Sequence, residues 1–175
     1  MRFPIFLALC LLVPIAHADT VSGFCERYGK RLEFSDGIAF ADASDEGRVT
    51  TKIYLTANKL DRAALAKCAA CAGALPKDTF FSPRGDLIAA QRTATAKGWM
   101  EIQHFGGQTN KAAIANIMYL ADNGTLTGVD DGNGEVSFST RTDKRVTGKI
   151  ATEGPKSNTD MSCDIAFDLA VGWPK

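Results

Sequence analysis

The chain has 175 residues and carries 20 lysines and arginines against 20 aspartates and glutamates, so its formal net charge is zero. Such a balanced surface lacks the basic patch that nucleic acids and anionic membranes attract, and we expect no nucleic-acid partner. The length suits one domain with a hydrophobic core of its own.

The first 18 residues have the organisation of a secretory signal peptide. Arg2 gives a positive start, an apolar run covers residues 5–13, and Ala16-His17-Ala18 offers small residues at the cleavage site. The apolar run is shorter than the roughly 20 residues that a membrane-spanning helix needs. We therefore expect residues 1–18 to be removed and residues 19–175 to form a single β-rich domain. This domain would be periplasmic or extracellular, with no transmembrane segment.

Cleavage also changes the inventory of reactive side chains. It removes Cys10 and His17, which leaves four of the five cysteines and makes His104 the only histidine. Metal sites that need two or three histidines from one chain are thereby excluded. No spacing of residues predicts a metal site, a cofactor or a catalytic set.

In chain order, the predicted elements are strands around one helix. Residues 31–57 alternate apolar and polar side chains, and an alanine-rich helix starting near Asn58 is predicted over about residues 59–72. The later predicted strands are Leu87–Thr93, Trp99–Phe105, Lys111–Ala121, Thr125–Val129, Glu135–Thr140, Arg145–Ala151 and Cys163–Val171. The pattern predicts an antiparallel β-sandwich or flattened barrel of about eight or nine strands with one α-helix.

The four remaining cysteines are Cys25, Cys68, Cys71 and Cys163, an even number that predicts two disulfides in an exported chain. Three pairings are open. A bridge between Cys68 and Cys71 inside a regular helix would be strained, which favours the two pairings that tie the helix to Cys25 and Cys163. A position near the helix C-terminus also disfavours a redox-active Cys-x-x-Cys pair, because such chemistry uses a thiolate at a helix N-terminus.

The candidate binding residues are Trp99, His104, Phe80 and Phe81. Aromatic and imidazole side chains supply contact area and hydrogen bonds when they are exposed, but the same side chains also complete hydrophobic cores. The sequence alone does not decide whether these residues bind a partner or belong to the core.

The leading functional hypothesis is an exported, disulfide-stabilised binding module without catalytic activity. Its most concrete form is an inhibitor or immunity-type protein that holds a protein or glycan partner in the cell envelope or outside the cell. The alternatives are a thiol–disulfide redox protein that uses Cys68 and Cys71, or a small secreted hydrolase that acts through His104 or a carboxylate pair.

Overall fold

The computed structural model describes residues 18–27, 30–43, 49–71, 83–93, 98–105, 111–120, 126–129, 135–151 and 162–175. Within these ranges the protein is mainly β, as the sequence predicts. The strands are β1 (Thr20–Arg27), β2 (Lys30–Glu33), β3 (Asp36–Ala43), β4 (Val49–Thr56), β5 (Trp99–Phe105), β6 (Lys111–Leu120), β7 (Leu126–Val129), β8 (Glu135–Arg141), β9 (Arg145–Ala151) and β10 (Ser162–Ala170). The helices are α1 (Arg62–Ala66) and α2 (Pro83–Thr93), and a 3₁₀ turn covers Ala69–Cys71.

The strands form one antiparallel path that folds over on itself. Sheet A runs β2-β1-β10-β9-β8, and sheet B runs β6-β5-β4-β3 with β7 paired to β6. Strand β6 joins the two sheets, because its first residues pair with β8 and its later residues with β5. The far strand β3 comes back to the C-terminal end of the chain, where the Gly172 N–H donates to the Ala39 carbonyl at 2.8 Å. The architecture agrees with the predicted sandwich, although the path of strands stays open.

Two hydrophobic clusters separate three layers. The larger cluster lies between the inner faces of the two sheets and includes Ile53, Leu55, Ile165 and Phe167. The smaller cluster lies on the other side of sheet B, where the helices cover it. Its buried members are Ile38, Phe40, Tyr54, Leu60, Leu65, Ile88 and Trp99. Sheet B therefore buries both of its faces over β3, β4 and β5.

The predicted helix over residues 59–72 is much shorter in the structure. It begins after Asp61, whose side chain accepts a hydrogen bond from the Ala64 N–H at 3.0 Å, and not after Asn58. Leu65 is the only residue of α1 that is buried. Because short helices depend on packing for their stability, an alanine-rich segment with so little buried surface ends early.

The strand predicted over Leu87–Thr93 is wrong, since this segment belongs to α2. Pro83 suits the first position of a helix, and Asp86 in the first turn complements the helix dipole. Ile88 is fully buried and fixes the helix against sheet B. None of the helices in the described ranges is long and apolar enough to cross a membrane.

The carboxylate of Asp36 holds α1 against the start of β3. It accepts hydrogen bonds from both Nη atoms of Arg62, at 2.8 and 2.7 Å, and from the Leu60 N–H at 2.6 Å. Its side chain is only 14% exposed. Hydrogen bonding to Asp36 raises the pKa of Arg62, against the opposing effect of burial.

We expect Asp36→Ala to lower the free energy of unfolding by about 2–3 kcal/mol, because a partly buried guanidinium and a backbone N–H lose their acceptor. Urea unfolding of the mature protein measures this loss. Glu33→Ala is the control, since it breaks an ion pair with Arg31 whose side chains are 48% and 63% exposed. That variant should lose about 0.5 kcal/mol or less. Equal losses in the two variants would show that Asp36 does not anchor the helix.

Candidate functional site

The outer face of sheet A differs from the outer face of sheet B in what lies over it. The helices cover β3, β4 and β5. On sheet A, buried residues point inward, and they alternate along β9 and β10 with residues that are exposed or partly exposed. The outward residues of β2, β1, β10, β9 and β8 form one surface, which we call the sheet A face.

A row of small and flexible side chains crosses the middle of the sheet A face. Ser22 lies opposite Ala166, Ala166 lies opposite Lys149, and Lys149 lies opposite Ser137. Ser22, Lys149 and Ser137 are exposed, and Ala166 is partly exposed. Four adjacent strands span about 14 Å at the usual spacing, so the row is wide enough for a strand or loop of a partner.

One end of the sheet A face carries a fixed arginine. The Nε of Arg145 donates to Asp168 Oδ1 at 2.6 Å, and the Thr147 hydroxyl donates to the same oxygen at 2.7 Å. Hydrogen bonding to Asp168, together with the charges of Asp168 and Asp19, raises the pKa of Arg145. Among the described residues, the buried Nη2 atom of Arg145 has no hydrogen-bond partner. The hydrogen bond to Asp168 therefore fixes the position of the guanidinium.

The other end of the sheet A face carries an aromatic ring beneath a cation. Arg31 on β2 lies over the ring of Phe24, with its Cζ atom 3.4 Å from the ring centroid. The same guanidinium forms an ion pair with Glu33. Asp164, directly opposite Phe24 on β10, is exposed. Charges of both signs thus flank the row, which itself contains the charged Lys149.

The disulfide pairings favoured from the sequence are wrong. The structure pairs Cys25 with Cys163 and Cys68 with Cys71. Because α1 ends at Ala66, the second pair lies beyond the regular helix, where the argument from helical strain does not apply. Cys25 and Cys163 are direct neighbours in the register of β1 and β10, so this bridge joins the two ends of the chain.

A buried arginine on α2 holds the turn of the second disulfide. Arg84 is 7% exposed, and its Nε and Nη2 atoms donate to the Cys71 carbonyl at 2.9 and 2.6 Å. Its guanidinium also lies 5.2 Å from the ring centroid of Phe40 and 5.5 Å from that of Trp173. Arg84 thereby connects the disulfide turn, α2 and β3.

The residues singled out from the sequence do not come together at one site. Trp99 is 6% exposed and belongs to the cluster beneath the helices. His104 lies on β5 opposite Thr51, and its side chain is outside the described part of the structure. Phe80 and Phe81 lie outside the described residues.

Arg145 and Arg84 are not among the candidate residues named from the sequence. Arg145 begins a strand that was predicted, and its alternation with buried Val146 marked it as outward-facing. Arg84 had no comparable signal, because the predicted strand begins after it, at Leu87, and the helix that carries it is not among the predicted elements. Across the described ranges, no three His, Cys, Asp or Glu side chains gather as metal ligands.

Comparison with protein-family models, curated proteins and solved structures finds no match for this chain. Its function is therefore argued from the chemistry of its surfaces, since a fold by itself carries no activity.

Proposed function

We propose that the mature chain is an exported, disulfide-stabilised binding module that holds a protein partner on the sheet A face. Its most concrete form is an inhibitor or immunity-type protein of the cell envelope. The observation that carries the proposal is the row of Ser22, Ala166, Lys149 and Ser137 between charged groups of both signs. The proposal treats residues 19–175 as one domain.

Small side chains favour close approach of a partner. Serine and alanine lose little or no rotamer entropy when they are covered, and they let a partner backbone come near the sheet. The serine hydroxyls of Ser22 and Ser137 can donate or accept hydrogen bonds along the row. The strands beneath are fixed by the inter-sheet core, so binding would need little reordering of the backbone, whereas the side chain of Lys149 would lose rotamer freedom.

The charged ends supply orientation. The positions of Arg145 and Asp168 are fixed by their mutual hydrogen bond, so a charge of each sign lies in a defined place at this end of the sheet A face. Charges of both signs on one surface select a partner with the complementary pattern and fix its direction.

This pattern favours a protein over a glycan. Sugar rings pack well on exposed aromatic faces, yet the ring of Phe24 already carries the guanidinium of Arg31. Trp99 is buried beneath the helices. A glycan partner remains an outcome of the experiment below.

Two observations support export. Disulfides persist in oxidising compartments, and the structure contains two. Ala18 is exposed, whereas the Asp19 carboxylate accepts a hydrogen bond from the Ala170 N–H at 2.8 Å. Cleavage between Ala18 and Asp19 would thus leave the contact of the new N-terminus with β10 intact.

We expect the full chain, expressed in a Gram-negative host, to appear in the periplasm with Asp19 as its first residue and both disulfides closed. Intact-mass spectrometry of fractionated cells measures this. Ala18→Arg should block processing, because the cleavage site needs a small residue at this position. Unprocessed wild-type chain with free thiols in the cytosol would contradict export.

We expect the double variant Ser22→Arg/Ser137→Arg to weaken partner binding about tenfold or more, because two long charged side chains obstruct the close approach. The matched control is Ala63→Arg on the exposed side of α1, away from the sheet A face. Immobilised mature protein first captures partners from an envelope extract of the source organism. The affinity of each identified partner is then measured in purified form.

The proposal stands if a purified protein binds wild type and Ala63→Arg equally and loses affinity for the double variant. An extract that yields only a glycan with the same dependence would replace the protein partner by a glycan. Equal affinity of the partner for wild type, Ala63→Arg and the double variant would show that the sheet A face is not the binding surface.

A further inference from the structure

The Cys68–Cys71 disulfide lies in a turn where one sulfur-bearing residue is reachable and the other is not. The turn follows α1 directly and is closed by a 3.0 Å hydrogen bond from the Cys71 N–H to the Cys68 carbonyl. Cys68 is partly exposed, whereas Cys71 is fully buried. Of the two residues, Cys68 is therefore the one on whose side a reductant from solution can approach this bridge.

The buried partner lies beside a positive charge. Arg84 donates two hydrogen bonds to the Cys71 carbonyl, so its guanidinium contacts the backbone of the residue that carries the buried sulfur. A neighbouring guanidinium favours the thiolate over the thiol, and the effect is larger where water is excluded. Arg84 is held rigidly, because a third hydrogen bond of 3.3 Å goes from its Nη1 to the Ala41 carbonyl.

We propose that Cys68–Cys71 is a reducible disulfide that accepts two electrons from a dithiol while Cys25–Cys163 stays closed, and that Arg84 assists by stabilising Cys71 as the leaving thiolate. This redox site is separate from the sheet A face, and its test does not depend on a binding partner.

The exchange proceeds in two balanced steps. A thiolate of the dithiol attacks Cys68 Sγ, the bond between Cys68 and Cys71 breaks, and its electron pair leaves on Cys71 Sγ beside Arg84. The second thiol of the dithiol then loses its proton and attacks the first sulfur of the dithiol, which is bonded to Cys68 Sγ in the mixed disulfide. The bond to Cys68 breaks, and Cys68 leaves as a thiolate. The dithiol ends as a disulfide, and two protons end on Cys68 and Cys71.

The other bridge is protected on two grounds. Cys25 is 0% and Cys163 is 2% exposed, so neither sulfur is open to attack without unfolding. The two cysteines are 138 residues apart in sequence, against three for Cys68 and Cys71. Closing a long loop restricts the unfolded chain far more than closing a short one, and this stabilises the long-range bridge.

The test is graded reduction of the folded mature protein by dithiothreitol near neutral pH, followed by acid quench, alkylation and peptide mass spectrometry. We expect Cys68 and Cys71 to be alkylated at dithiothreitol concentrations about tenfold or more below those that open Cys25–Cys163. Opening of both bridges at the same concentration would overturn the proposal.

Arg84 variants separate its charge from its role in packing. Arg84→Gln should slow the reduction of Cys68–Cys71 about tenfold, since the leaving thiolate loses its neighbouring cation. Arg84→Lys keeps the charge and should restore most of the rate. Lys144→Gln removes an exposed cation in the turn between β8 and β9 and serves as the control, with the wild-type rate expected.

Equal reduction rates in wild type and Arg84→Gln would show that Arg84 does not assist the reduction of Cys68–Cys71. A slow reduction rate in both Arg84→Gln and Arg84→Lys would also contradict assistance by the charge, and would show that Arg84 acts through packing alone. If Arg84→Gln does not fold, graded reduction of the wild-type chain and the rate of Arg84→Lys decide the proposal.

Discussion

Burial of both faces of β3, β4 and β5 is the constraint on which the remaining structure depends. Ile53 and Leu55 point into the core between the sheets, and Tyr54 between them points into the cluster beneath the helices. A strand that is apolar on both sides needs a layer on each side. Sheet A supplies one layer and the helical segments supply the other. Because sheet A needs only one covered face, its outer face is left to other contacts.

The two disulfides serve different layers of this arrangement. Cys25–Cys163 ties the first strand to the last inside the main core, beside the hydrogen bond of Asp19 to Ala170. Cys68–Cys71 belongs to the helical layer, where Trp173 donates to the Leu65 carbonyl at 3.1 Å and Arg84 lies beside the rings of Phe40 and Trp173. One bridge joins the first strand to the last, and the other lies in the turn after α1, outside the strands of both sheets.

The sequence predicted the strands best where apolar and polar residues alternate around clear turns. The bounds of β8, β9 and β10 agree with the predictions within one or two residues, and β6 is a strand as predicted. β1 is not among the predicted strands, since Ser22, Gly23 and Phe24 show no strong alternation. The N-terminal strand is defined instead by its pairing with β10, a contact between distant parts of the chain.

The helical layer and the disulfides were harder to predict for one shared reason. Alanine propensity extended the predicted helix through Cys71, whereas the actual end of α1 depends on how little of it can be buried. The wrong end placed Cys68 and Cys71 inside a helix, and the wrong pairing followed. The role of Arg84 was invisible for the same reason, because it exists only once α2 packs against the turn.

The assignment of the sheet A face as the binding surface is tested most directly by nuclear magnetic resonance mapping of the isotope-labelled mature protein with its purified partner. The account predicts that amide shifts change along β1, β8, β9 and β10, around Ser22, Lys149 and Asp168, and stay fixed in α1 and α2. Shifts confined to the helices or to the Cys68–Cys71 turn would contradict it.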